Sequence, residues 1–267
     1  MARLQRIRHL PAALLLSIVA GCAPVAAVDA VGYCANDGAL PAFDASRAFE
    51  HIRTQVAFGP RVPGSDGHRQ QLAWMTEYLR QRAAVVEQQA FTHTTTAGES
   101  LELTNVIARF RPEMQRRVLL LAHWDTRPSA DHDPDPSRRG EPILGANDGA
   151  SGVAVLLELA DLLHRHPPPI GVDVLLTDGE DYGPTAADMF LGARHFAEHK
   201  PAAYRPQYGV LLDMVADARP RFPMEGYSRH YAPDVVAKIW RLARELGLGE
   251  YFPQEAGGYI MDDHVFL

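Results

Sequence analysis

The 267-residue chain is 46% hydrophobic and 22% charged, with a formal charge of −7, the composition of a globular protein long enough to bury one large core. Its first 21 residues contribute three arginines and no acid, leaving 23 basic against 33 acidic residues in the remainder. That balance excludes nucleic acid and an anionic membrane face as main partners.

Arg3, Arg6 and Arg8 precede an apolar stretch over residues 10–20, too short for a bilayer-spanning helix, which needs about 20 residues. The stretch ends Val19-Ala20-Gly21-Cys22, and small residues directly before a cysteine resemble a bacterial lipobox. Residues 1–21 are thus expected to be a lipoprotein signal peptide and residues 22–43 a tether. The domain over 44–267 would be exported, periplasmic or anchored at the outer membrane, and touch the membrane only through lipid on Cys22. An ordinary secretory signal with an incidental cysteine is the alternative. If Cys22 is lipidated, Cys34 is the only free thiol and no intrachain disulfide forms.

Periodicity then predicts helices over 44–58 and 66–82, separated by the turn-rich Gly59-Pro60-Arg61-Val62-Pro63-Gly64. Strands are predicted over 85–91 and 103–110, followed by the continuous apolar run 118–122 of a strand buried on both faces. Residues 126–142 hold four prolines and many charges, so they read as a surface loop. An apolar stripe at Val153, Leu156, Leu157, Ala160 and Leu163 predicts a helix over 149–165, stopped by Pro167. Strands over 172–177 and 209–212 and helices near 192–198 and 233–246 complete the pattern. Such alternation indicates an α/β fold: three layers, with a mixed, mostly parallel twisted sheet covered by helices on both faces.

In open α/β sheets ligands gather at the carboxyl ends of strands, and three predicted strands end in His123/Asp125, Glu180/Asp181 and Asp213. Asp148 opens a helix, where the dipole favours its ionised form. These nitrogen and oxygen donors suit a catalytic zinc site, with three protein ligands and one open position. Of the adjacent Glu180 and Asp181, one can hold metal while the other moves protons. Each residue also has a plainer role: Asp148 as a helix cap, His123 as a satisfied core histidine, Asp213 as a turn residue, and Asp262-Asp263-His264 as a solvated loop.

The Gly59–Gly64 run, His123-Trp124-Asp125-Thr126-Arg127, Asp148-Gly149-Ala150-Ser151-Gly152, Asp178-Gly179-Glu180-Asp181-Tyr182-Gly183, Leu212-Asp213-Met214 and Asp262-Asp263-His264 together resemble the glutaminyl cyclase branch of the M28 zinc aminopeptidase superfamily. The resemblance implies a zinc exopeptidase-like fold and one zinc held by Asp148, Asp181 and a C-terminal histidine. It also implies Glu180 as proton shuttle, Asp213 and Asp262 as the acidic network around it, and a cis peptide bond after Asp148. The expected reaction closes the N-terminal Gln of peptides or proteins to pyroglutamate with release of ammonia. The family's histidine lies beyond Leu267, so the chain is expected to lack a C-terminal strand and helix and to bind zinc weakly, with His123 or His264 as substitute ligand. Two rival expectations stand beside this one. An aminopeptidase of the superfamily would use His123 and Asp213 for a second zinc bridged by Asp148, and an incomplete fragment would be inactive.

Overall fold

The computed structural model describes residues 41–267. The expected leader, Cys22, Cys34 and most of the expected tether lie outside the described residues, among which no helix is long and apolar enough to cross a membrane.

Helix α1 (Ala45–Ala57) is capped by Asp44, whose side chain accepts from Arg47 N, and α2 (Asp66–Arg80) is capped in the same way by Ser65. Strands β1 (Val85–Thr94) and β2 (Ser100–Phe110) form a long antiparallel hairpin. Next come β3 (Arg117–His123), α3 (Ala150–Arg165) and β4 (Gly171–Thr177), then α4 (Leu191–His199), β5 (Gly209–Leu211), α5 (Gly226–Tyr231) and α6 (Pro233–Glu245). The short α5 was not predicted: six residues make under two turns, too few for an apolar stripe to be read. Its start is fixed instead by Glu225, which accepts from Tyr227 N at 2.8 Å and Ser228 N at 2.6 Å.

The five strands run in the order β1-β2-β4-β3-β5. The sheet is mixed: β1/β2 and β2/β4 are antiparallel, while β4/β3 and β3/β5 are parallel. Parallel pairing is confined to strands joined by helical crossovers, since a hairpin can only join antiparallel neighbours. Alternate residues of the central strands serve opposite faces. Val118 and Ala122 of β3, with Val172, Val174 and Leu176 of β4, pack under α2 and α3. Leu119, Leu121 and Leu175 face the other way, onto Phe196 of α4. Three layers result, and each fully buried leucine contributes about 1.5–3 kcal/mol.

β3 is central, and its neighbours set what surrounds its carboxyl end. In the parallel register His123 pairs with Thr177 of β4, and Leu121 pairs with Leu211 of β5. Three chain exits therefore lie side by side. α3 starts against the same edge, because Gly152 leaves room that a Cβ would fill: it would sit 2.0 Å from Leu212 O.

Candidate metal centre

His123 ends β3 with its side chain almost wholly buried. Its Nε2 lies 2.9 Å from Asp148 Oδ1 and 3.2 Å from Asp213 Oδ1. Ligand atoms of these three residues all lie within 4.8 Å of one another. Asp148 reaches this position because it does not cap α3. Gly149 holds the N-cap place at φ 84°, and no side chain bonds the helix start. The plainer reading of Asp148 as a cap is thereby set aside. The peptide bond after Asp148 is also not cis, the one cis bond among the described residues being Gly183-Pro184. The sharp turn is taken up by the positive φ of Gly149, which glycine adopts without a steric penalty.

Of the expected trio, His123 and Asp148 lie within ligand reach of each other, and the carboxylate that joins them is that of Asp213, because β5 pairs directly with β3 and delivers it beside His123. Asp181 lines the same cleft as Asp148, but its Oδ1 accepts from Arg127 Nη1 at 2.6 Å. His264, the other substitute ligand, lies 3.3 Å from Glu225 Oε2 and is outside the converging group. Glu180 is buried with Oε2 3.8 Å from His123 Nδ1. Asp262 is buried, and its Oδ1 accepts from Asp263 N at 2.6 Å.

The site is densely acidic. Burial, opposed by His123 and reinforced by the charges of Asp263, Asp125 and Asp262, pushes the Glu180 carboxyl up to about 10. Burial and the neighbouring Asp148 and Asp125 raise Asp181 to about 7. Burial with Asp213 close by raises Asp262 to about 6. For His123, burial works against protonation, yet the charge of Glu180 and the close carboxylates of Asp125, Asp148 and Asp213 prevail and hold it well above its usual value.

The supporting contacts of several residues quoted in the motifs escaped the sequence reading. The fully buried Asp125 accepts from Glu180 N at 3.0 Å and from Asp181 N at 3.1 Å, so one carboxylate fixes the backbone of both acids. The buried Asp263 accepts from Thr177 Oγ1 at 2.5 Å. Buried Arg61 donates to Leu144 O and Gly145 O, clamping the segment that leads to Asp148. The Gly-Pro-Arg motif and the position of Asp125 after His123 were visible signals, but their partners are distant in sequence.

The donor set fits zinc. It offers one imidazole nitrogen and several carboxylates with no thiolate. Nδ1 of His123 is buried without a hydrogen-bond partner, 3.5 Å from Asp125 Oδ1, so Nε2 faces the acids while a carboxylate stands behind the ring, as in metal-bound histidines. A divalent cation supplies the counter-charge that so many desolvated carboxylates require.

A mixed sheet between helical layers, with a histidine and carboxylates at adjacent strand ends, defines a zinc exopeptidase-like α/β class. The family model for peptidase family M28 matches residues 105–267, and the chain belongs to that family, grouping with its glutaminyl cyclase branch. A glutaminyl cyclase from Tannerella forsythia is similar at 42% identity and a TM-score of 0.82, over 85% of this chain and 80% of that one. A Zn-dependent exopeptidase from Parabacteroides distasonis is also similar at 42% identity, with a TM-score of 0.83 over 85% and 81% of the two chains. The glutaminyl-peptide cyclotransferase of Drosophila melanogaster is 28% identical over 234 residues, 77% of this chain. The chain spans 63% of the length of that relative.

Proposed function

We propose that the protein is a zinc-dependent glutaminyl-peptide cyclotransferase, acting on peptides and proteins with an N-terminal Gln. The observation that carries the reading is Glu180, a buried carboxyl 3.8 Å from His123, in a chain that resembles glutaminyl cyclases at about two-fifths identity. Asp148, Asp181 and His123 would hold one zinc, whose Lewis acidity acts on the side-chain amide carbonyl of the substrate. Glu180 takes a proton from the substrate α-amine as its nitrogen bonds to the amide carbon, and returns it to the departing ammonia. Asp125 keeps Glu180 in place through its backbone. Asp262 lends part of the negative surroundings that favour the protonated form of Glu180, and Asp213 does the same for Asp262.

A second reading has its own observation in support: the convergence of His123, Asp148 and Asp213 suits a second zinc bridged by Asp148, the arrangement expected of an aminopeptidase. Incubating the purified protein with zinc and with either a Gln-peptide or an aminoacyl anilide separates the two. Ammonia release with a pyroglutamyl product supports the cyclase; anilide cleavage without cyclisation refutes it. The position of Cys22 supports the proposal that the protein is exported and lipid-anchored, tested by detergent-phase partitioning of wild type against Cys22→Ser.

A further inference from the structure

Between β3 and α3 the chain makes a closed loop over residues 127–143. Its neck is sealed by backbone bonds from Ile143 N to Arg127 O at 3.1 Å and from Ala130 N to Glu141 O at 2.8 Å. The loop forms one wall of a cleft of about 950 Å³ whose other walls include Asp148, Asp181, Pro184 and Met189. One side chain joins the two walls. Arg127 donates from Nε and Nη2 to the two oxygens of Asp131, at 2.8 and 2.9 Å, and from Nη1 to Asp181 Oδ1 at 2.6 Å. Its side chain is only 12% exposed, and such charge-assisted, partly bidentate bonds are stronger than neutral ones.

Gly183 completes the seat. It has φ 63°, and a Cβ there would come within 3.2 Å of both guanidinium Nη atoms and 3.3 Å of Cζ. Arg127, which ends the His123–Arg127 motif, and Gly183, which ends the Asp178–Gly183 motif, are thus two halves of one contact. Neither enters the proton chemistry.

We propose that Arg127 is a positioning residue that fastens the 127–143 loop to Asp181, so that the placement of the cleft wall and the orientation of that carboxylate are set together. The role rests on the reading of Asp181 as a zinc ligand. In the loop direction, Arg127 holds Asp131 and with it the first turn of the wall. In the other direction it fixes one carboxylate oxygen of Asp181. A lysine cannot span both, because its single ammonium lacks the planar fork.

Four variants test this by hydrogen exchange at the amides of Ala130 and Ile143 and by zinc titration. Arg127→Met should speed exchange about ten- to a hundred-fold, the change in open population expected when charge-assisted bonds are lost. It should also weaken zinc binding about ten- to a hundred-fold, as losses of outer partners of metal ligands do. Asp131→Asn, which leaves Asp181 untouched, should speed exchange with zinc affinity within about twofold of wild type, and raise KM for Gln-peptides with little change in kcat. Arg127→Lys should restore part of the zinc affinity and little of the exchange protection. Gly183→Ala, which alters no charge, should reproduce the faster exchange. Unchanged exchange in both Arg127→Met and Asp131→Asn, or unchanged zinc affinity in Arg127→Met, would overturn the proposal. Exchange is read without turnover, so an absence of cyclase activity in the wild type would refute the proposed function and leave this comparison intact.

Discussion

His123 Nε2 and Asp148 Oδ1 lie 2.9 Å apart, although one residue ends a strand and the other precedes a helix in the next crossover. Asp148 therefore belongs to both conceivable ligand sets, with Asp181 and His123 or with His123 and Asp213. Asp148→Ala is expected to abolish tight zinc binding under either. Asp213→Ala discriminates: one zinc per chain should persist if Asp213 is a network acid, whereas a fall from two ions to one marks the bridged arrangement. Metal analysis of the dialysed proteins reads this directly.

Glu180→Gln keeps the shape and removes the titrating oxygen. Turnover on Gln-peptides should fall about a hundred- to ten-thousand-fold, the usual contribution of a general acid-base group, with zinc content unchanged. Steady-state kinetics beside metal analysis checks both, and zinc loss in this variant would assign Glu180 to the metal instead.

Asp125 is a sharper structural probe. Its two carboxylate oxygens each accept one backbone N–H, from Glu180 and Asp181. An asparagine presents only one acceptor, so Asp125→Asn leaves a buried donor unmatched at a cost of about 1–3 kcal/mol. For a domain of this size each kcal/mol lowers Tm by about 2–4 °C. Calorimetry of the metal-free proteins should find that decrease.

Glu225 makes stability depend on acid. Despite the cost of its partial burial, backbone bonds from Ile260, Ser228 and Tyr227 lower its carboxyl from 4.5 to about 2. A carboxyl lowered on folding stabilises fully above its unfolded value and loses that contribution as pH falls. The stabilisation should accordingly be complete above pH 4.5 and vanish toward pH 2. Denaturant unfolding of wild type and Glu225→Gln should converge over that window, and parallel curves would show that Glu225 does not carry the effect.

Most regular elements were legible because the apolar pattern of each is local. The stripe from Val153 to Leu163 marks α3, and the runs at 118–122 and 172–177 mark the two strands buried on both faces. The motifs placed His123, Asp148, Glu180 and Asp213 at strand or helix ends, where the fold gathers them. What remained hidden was pairing. The bond between Arg127 and Asp181 crosses 54 positions, and that between Thr177 and Asp263 crosses 86. Neither leaves a periodic trace, since a single side-chain bond needs only two residues. The same holds for the approach of Asp213 to His123, which follows from strand order rather than from any spacing along the chain.

The close approach of α3 to the end of β5 has a consequence for ion choice. Because a single missing methyl at Gly152 lets the helix lie against Leu212 O, the spacing between the backbones that carry Asp148 and Asp213 is set by direct contact of helix and strand end. Zinc takes carboxylate oxygens at about 2.0–2.2 Å, whereas calcium needs about 2.3–2.6 Å and more of them. In the bridged arrangement, a spacing fixed in this way would favour the smaller ion. Alanine at 152 would act as a wedge between helix and strand, opening the gap on the side of the larger one.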